Sequence, residues 1–508
     1  MAEITIDRNS EIPLYIQIKN SIEAAIEAGD LQGGDRLPPV AALAKEIGVT
    51  QATVRRALKD LIDAGVASCH VGRGTFILES EDEEKELDDE GYSSAAGKTA
   101  MSRSYVFAAR RLRTGVGKAL GEIMGLAERP GLIHFMKGVP DPALLPVNFL
   151  EDLTRETLAA GGVNFAEATD PLGSLALRTE IATRFSATGV AVGPEQVLIT
   201  NGSIQAVTLM AQANCELDYK VFCETPCFKG ITDSFGAMGH WVDTVARDGK
   251  DQRLSQPEDM AGPGILYICP YSHNPTGLDL SPERRSTIVE WGRQTSGIVV
   301  VDEIFKDLSF AEQPSVSLMH ELGSEHCVVV GSLSKSVMTG LRVGWMISSP
   351  QRIGHMAQLK KLMDHSCPSL VQGVALTLFQ SGRYDAHTAR MREIYRRRRD
   401  VMLDSLAIHM VPEVKWSRPD GGFSLMLELP PGYSSIGLFV SAIEKGVSFL
   451  PGPLFDIDQR FVHCCRLSYA WADESEIREG VELLAEAVRE LLSRSPGEWG
   501  LSGIGSYN

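Results

Sequence analysis

The 508-residue sequence contains no apolar run approaching the roughly 18 residues that a membrane-spanning helix requires. Its start, MAEITIDRNS, has neither the basic nor the apolar region of a secretory signal, so a cytoplasmic protein with no membrane partner is expected. Cysteine is sparse: nine residues, two of them the adjacent Cys464 and Cys465, cannot make a dense disulfide framework, which suits a reducing compartment. Cys223 and Cys227 have no second ligand pair at zinc spacing, so buried thiols and no metal are expected. Positive charge is also short. Forty-nine Lys and Arg against 66 Asp and Glu give a net charge of −17, which excludes a general attraction to nucleic acid or to an anionic surface. Any DNA binding must come from a local site. There is no tandem repeat, and Gly72 and Gly74 lack the remaining glycine and the strand-helix context of a dinucleotide fingerprint. What is present, 44% hydrophobic and 23% charged residues, is ordinary globular composition with length for about three domains.

The sharpest compositional break is ESEDEEKELDDEGYSSAAGKT, residues 79–99. Between 79 and 90 nine carboxylates face only Lys85, so this stretch supplies −8 of the −17. With almost no large apolar side chains it cannot offset its ordering entropy, and a flexible acidic linker is expected over 79–115. It is either a solvated spacer or an acidic strand competing with DNA for the basic face beside it. Residues 101–113, MSRSYVFAARRLR, restore basic and apolar character.

Ahead of the break, residues 1–78 read as three helices and a hairpin. Leu14, Ile18, Ile22 and Ile26 form one apolar stripe. Pro38 and Pro39 open a second helix that buries Leu43, Ala44 and Ile47 and stops at Gly48. Thr50 is the expected N-cap of a third, QATVRRALKDLIDAG, with Val54, Ala57, Leu58 and Leu61 inward and Gln51, Arg55, Arg56 and Lys59 outward. VASCHVGRGTFIL then alternates as two strands around a tip carrying Arg73. Two short helices joined at a glycine, then a hairpin, make a winged helix-turn-helix. The segments LPPVAALAKEIGVTQATVRRALKDLIDAG and VGRGTFI resemble the GntR family of winged-helix regulators. The resemblance implies that Thr50, Gln51, Thr53 and Arg55 lie at the major groove of an operator, with Arg56 beside them, and that Arg73 enters the minor groove. Ala41 and Gln51 stand where that family commonly has arginines, although glutamine can still pair with an adenine edge. The head carries ten carboxylates against eight Lys and Arg, so two heads in a dimer are expected to be needed for tight binding.

From about residue 130 onward, apolar runs such as VLIT, ILYIC, GIVVVD and CVVVGS alternate with helical periodicity, which implies a mostly parallel sheet with its ligand at the strands' C-terminal ends. Polar residues follow those runs directly, and each suits one part of pyridoxal 5'-phosphate. Lys335, in SLSKSVMTGLRVGW, is the Schiff-base candidate, with Ser332 and Arg342 spaced to clamp one phosphate. Asp302 ends an apolar strand, where a carboxylate needs a positive partner such as a protonated pyridine nitrogen. The amides of Gly202 and Ser203 offer the phosphate a positive helix end.

Together with DPLGSLALR, ETPCF, HNPTG, DEIF and RLSYA, these motifs resemble the fold-type I, class I/II aminotransferases over about 370 residues. The resemblance implies that Phe228 stacks on the pyridine ring, Asn274 bonds its phenolic oxygen, Arg466 holds a substrate carboxylate and Gly138 lies near the substrate. Phe305 stands where the family usually has a tyrosine that donates to that phenolic oxygen, which would retune transamination; Tyr271 is a candidate replacement. Arg396 to Arg399 fall around a helix and are expected to be solvated.

A GntR-like head on an aminotransferase-like body resembles the MocR group of regulators. The expected fold is therefore mixed: winged helix 1–78, linker 79–115, an α/β cofactor domain with large and small subdomains at 116–496, and a tail at 497–508. The resemblance implies a homodimer, often head-to-tail, in which an amino compound or the cofactor itself shifts the heads between DNA-binding arrangements. The rival reading is a working aminotransferase with an accessory head.

Overall fold

The computed structural model describes residues 14–27, 31, 35, 37–38, 43–44, 47–63, 66–70 and 74–77 towards the N-terminus, and 131–161, 165–214, 219–247, 260, 264–311, 316–458 and 460–496 beyond. The chain divides into two units, Met1–Ser93 and Ser94–Asn508.

In the first unit, α1 (Leu14–Glu27) and α2 (Gln51–Asp63) enclose one core of Ile18, Ile22, Leu37, Leu43, Ala44, Val54, Ala57, Leu58 and Leu61. Leu14 and Ile26, at the ends of the predicted stripe, are only half-buried. Gly48 adopts a left-handed φ of 68°, so the main chain reverses there with no side-chain clash. Thr50 then caps α2: its Oγ1 accepts the Thr53 amide at 3.2 Å, as the Thr-to-helix spacing predicts. Strands β1 (Ala67–His70) and β2 (Gly74–Ile77) pair antiparallel as the wing.

Among the described residues of the second unit, a short strand, β3 (Ile133–His134), comes first and a large sheet follows. Its strands are β4 (Val197–Thr200), β5 (Lys220–Thr225), β6 (Val242–Ala246), β7 (Gly264–Ile268), β8 (Ile298–Asp302), β9 (Cys327–Ser332) and β10 (Gly344–Ile347), in the order β4-β10-β9-β8-β7-β5-β6. Only β10 runs against its neighbours. Alternate residues feed two cores: Ile199, Leu266, Ile268, Val299, Val301 and Val329 enter one, and Leu198, Ile265, Val300, Val328, Val330 and Met346 the other. Burial of both faces explains why these strands read as unbroken apolar runs rather than as alternating ones.

A smaller sheet, β11 (Lys415–Trp416), β12 (Ser424–Glu428), β15 (Cys464–Ser468) and β14 (Leu450–Pro451), is antiparallel, and β13 (Val447–Ser448) pairs with β3. It packs with the helices Arg383–His409 and Glu474–Leu492 around Phe135, Tyr395, Phe423, Leu467 and Val488. The four successive arginines are split by the helical turn, but not all are solvated. Arg398 is buried and donates to the carbonyls of Tyr469 (3.4 Å) and Ala470 (2.6 Å), while Arg399 lies over the Phe310 ring at 4.6 Å. No helix among the described residues is long and apolar enough to cross a membrane.

Candidate functional site

The co-directional strands β4, β5, β7, β8 and β9 all end at one edge of the large sheet, and the polar residues singled out in the sequence follow those ends. Lys335 sits on the short helix Leu333–Ser336 directly after β9. Ser332 caps that helix, its Oγ accepting the Ser334 amide at 3.1 Å and donating to the Val343 carbonyl at 2.9 Å. The Lys335 ammonium donates to the Gly138 carbonyl at 2.8 Å. Burial, with the neighbouring cations Arg466 and Arg342, pushes its pKa from 10.5 down to about 8, against the opposing pull of Asp302. A lowered pKa frees the amine in the window between about 8 and 10.5, where an ordinary lysine is still protonated. Labelling of Lys335 by a small amine-selective electrophile, read by mass spectrometry, is therefore expected to rise with pH through about 8 and then level. A rise only near 10.5 would contradict the geometry.

Asp302, at the end of β8, is buried; it accepts a hydrogen bond from the Tyr267 hydroxyl at 2.6 Å and from the Ile304 amide at 3.1 Å. Desolvation outweighs these donors and Lys335 and lifts its pKa to about 6. A buried carboxylate in this condition favours a cationic partner.

Gly202 opens the helix Ser203–Ala213 with a φ of 90°. A Cβ there would stand 2.7 Å from the Arg342 guanidinium, which donates to the Asn201 carbonyl at 2.8 Å. Gly344, in the motif GLRVGW, is needed for the same approach, since a Cβ on it would meet the Gly202 and Ser203 main chain at 2.7 to 2.9 Å. The main-chain amides of a helix start and one guanidinium thus form a cradle for an anion. A second layer holds it. The Asp364 carboxylate accepts from Asn201 Nδ2 and Gln205 Nε2, both at 2.6 Å, and pairs at 2.7 Å with Lys360, which is fully buried.

Arg466, on β15, is buried, and burial lowers its pKa to about 10. It donates to the Met136 carbonyl and, at 3.3 Å, to Asn274 Oδ1, but its Nε has no partner among the described residues. Gly138 lies against it: a Cβ at Gly138 would stand 2.7 Å from the guanidinium. Phe228 follows β5 and leaves 44% of its surface exposed. Phe305 is buried instead, edge-on to Phe423 at 5.3 Å, and brings no donor. Tyr271 does not replace it. Its hydroxyl donates to the Val316 carbonyl at 3.0 Å. Sequence reasoning missed Tyr267, Gly344, Lys360 and Asp364; Lys360, in the last turn of the helix Pro350–Met363, and Asp364, just past its end, stand four apart, which was their only signal. Cys223 and Cys227 are buried free thiols, as expected, and among the described residues no cluster of His, Cys, Asp and Glu suits a metal.

In the head, Thr50 and Gln51 are exposed and Thr53 half-buried at the start of α2. Arg56 is exposed but folds back over Tyr15, its guanidinium 4.0 Å from the ring centre and 3.3 Å from the hydroxyl. Arg73 and the side chain of Arg55 lie outside the described residues.

A winged helix and a parallel-stranded sheet with an internal lysine at its C-terminal edge define a regulator head joined to a fold-type I aminotransferase-like body. Residues 143–484 match the family "Aminotransferase class I and II", and residues 14–77 match "Bacterial regulatory proteins, gntR family". The chain belongs to the class I and II aminotransferase family, whose members use pyridoxal 5'-phosphate, and its two-part architecture is of the MocR type. The uncharacterized HTH-type transcriptional regulator YdfD of Bacillus subtilis (strain 168) is 26% identical over 95% of this chain and 98% of its own. A protein of Rhizobium meliloti named "probable rhizopine catabolism regulatory protein MocR" is 23% identical over 96% of this chain and 97% of its own. The crystal structure of LysN, the α-aminoadipate aminotransferase of Thermus thermophilus, complexed with N-(5'-phosphopyridoxyl)-L-leucine, is 30% identical over 74% of this chain and 98% of its own, with a TM-score of 0.66.

Proposed function

We propose that the chain is a cytoplasmic, pyridoxal 5'-phosphate-dependent transcriptional regulator in which residues 1–78 bind an operator and residues 116–496 sense a small amino compound or the cofactor itself. Residues 79–115 serve as the linker and 497–508 as a tail. Two chains act as a homodimer, head-to-tail, so that two heads, each with a net acidic count and only a local set of cations, engage one operator. The observation that carries this reading is the coexistence, in one chain, of a gntR-type head with a cofactor-competent edge that has Phe305 where the family resemblance implies, as the usual residue, a tyrosine donor.

The residues fit the cofactor. Gly202, Ser203, Ser332 and Arg342 would hold its phosphate, Asp302 its ring nitrogen, Asn274 its phenolic oxygen, Phe228 its ring face and Lys335 its aldehyde carbon. When bound, it supplies an electrophilic carbon that exchanges amines. Arg466, with its unpartnered Nε, would orient a carboxylate on the incoming amine, and Lys335 would take up or release the proton. In the head, Thr50, Gln51, Thr53, Arg55 and Arg56 would face the major groove and Arg73 the minor groove. A nearly complete switch between head arrangements requires a ligand that binds one state better by about 5.5 kcal/mol.

The retained Arg466 and Lys335 also favour a second reading, an active aminotransferase with an accessory head. One experiment separates the two: footprinting of the cofactor-loaded protein on its own promoter region, with and without amino compounds, beside a steady-state assay with an amino donor and a 2-oxo acid. A protected operator whose footprint responds to an amine is expected. Sustained turnover with no specific footprint would overturn the regulator.

A further inference from the structure

We propose a second small-molecule site, outside the cofactor edge, that takes an α-amino acid with an apolar side chain. It is a cavity of about 310 Å³ between the start of the helix Phe149–Gly161 and the first turns of the helix Arg383–His409. Asp152, Arg383, His387 and Arg390 supply its polar groups, and Val147 and Phe149 its apolar wall.

Unsatisfied polar groups collect here. His387 is 5% exposed, packs its ring 5.6 Å from that of Phe149, and makes no well-formed hydrogen bond at either nitrogen among the described residues, with the Ser336 main chain nearby. Burial, with Arg390 beside it, holds its pKa down to about 4, although the Ser336 main chain opposes this; the ring is neutral near pH 7. Arg383 pairs with Glu156 at 2.5 Å, yet its second terminal nitrogen is buried without a partner. Asp152 and Arg390 stand exposed at the rim of the cavity. Buried polar groups are normally paired, so the ring nitrogens of His387 and the one nitrogen of Arg383 left unpaired at this cavity point to a missing partner.

The mixture of signs selects that partner. A phosphate or dicarboxylate would meet Asp152 as well as the arginines. A simple amine would meet two guanidinium groups. An apolar molecule would leave every polar group unpaired. A zwitterion satisfies both signs, its carboxylate on Arg383 and Arg390 and its ammonium on Asp152, while Val147, which is 90% exposed, and Phe149 take an aliphatic side chain. The position suits control. One helical turn before His387, the Tyr384 hydroxyl donates to Asp307 and lies 3.3 Å from Ser336 Oγ, and Ser336 adjoins Lys335.

The probe is labelled L-leucine in equilibrium dialysis against the cofactor-loaded full-length protein, with the visible spectrum recorded in parallel. The spectrum reads the cofactor edge and dialysis reads total binding, so failure of one reading leaves the other testable. Wild type is expected to bind two leucines per chain, and Arg390→Gln and Asp152→Asn each to weaken one of them about tenfold or more, with the amine-dependent spectral change intact. Arg466→Gln should remove the spectral change and leave the other leucine bound. 4-Methylpentanoate and 3-methylbutylamine, which carry only one of the two charges, should compete at least about tenfold less well than leucine at the second site. Unchanged dialysis curves in Arg390→Gln and Asp152→Asn, or equal competition by either single-charge probe, would overturn the proposal.

Discussion

Lys335→Ala is expected to abolish the visible absorption band of the cofactor-loaded protein and, with it, any amine-dependent change in the operator footprint. The lysine follows β9 directly at the edge where β8 also ends, and its depressed pKa makes it nucleophilic where surface lysines are not. Its single hydrogen bond, to the Gly138 carbonyl, contributes little to the fold, so the variant should remain folded with a near-native thermal transition. Noncovalent affinity should persist through the Gly202 cradle and Arg342. Proton transfer by a positioned side chain is worth about 10²–10⁴ in rate, so residual amine exchange should fall by at least that factor. The measurement is a titration of apo wild type and variant with pyridoxal 5'-phosphate, followed in the visible. A lysine-linked band of full amplitude in the alanine variant would remove Lys335 from the centre of the site.

Much of this site was legible before any coordinate, because motif residues lie just beyond strands that are easy to recognise. GIVVVD and CVVVGS read as strands since burial on both faces leaves no polar positions until the strand ends, and those ends are where Asp302 and Lys335 stand. The head was legible for the complementary reason: Ile18, Ile22, Val54 and Leu61 recur at helical spacing, and Gly48 and Thr50 punctuate them. What could not be read was register and direction. Tyr267 pairs across β7 and β8 with Val300, which places it on the same sheet face as Asp302 one pleat further on. Nothing in ILYIC states that register. Tyr271 was plausible on proximity in the chain, but its hydroxyl reaches the Val316 carbonyl instead. Arg398 was misjudged because composition counts four cations, whereas packing against the 469–470 carbonyls makes one of them a buried structural donor.

Under the proposed reading, the same residues would let the body respond to a ligand without rapid turnover. Phe305 contributes to the core around Phe423 rather than to a hydrogen bond, so the phenolic oxygen of a bound cofactor would depend on Asn274. Asn274 in turn accepts from Arg466 at 3.3 Å, which ties the carboxylate-binding arginine to the group that tunes the ring. An amine carrying a carboxylate would compete for that guanidinium and loosen its hold on Asn274.

Asp302→Asn should produce the second large effect, and in two separable readouts. The carboxylate's pKa is raised from 3.8 to about 6 by burial, so without the cofactor the folded state holds the proton more tightly than the unfolded chain does. Stability of the apo protein is therefore fullest below the unfolded value and is lost as pH rises towards about 6, by roughly 3 kcal/mol on the scale of 1.4 kcal/mol per pH unit. A cationic ring nitrogen against Asp302 would lower that pKa and flatten the decline, so loading the wild type should remove this part of the pH dependence. Asparagine keeps the shape and an acceptor for Tyr267, but it does not titrate. The apo variant should lack the decline from the outset, and it should bind the cofactor more weakly, because removing one member of a buried charge pair costs about 3–5 kcal/mol, or about two to three and a half orders of magnitude in affinity. Chemical denaturation across that pH range, with equilibrium dialysis of the cofactor, measures both. Tyr267→Phe serves as the comparison: it removes a neutral donor and should weaken binding far less. If Asp302→Asn bound the cofactor as tightly as wild type while its pH dependence flattened, the carboxylate would be a buried acid of the fold and not the partner of the ring nitrogen.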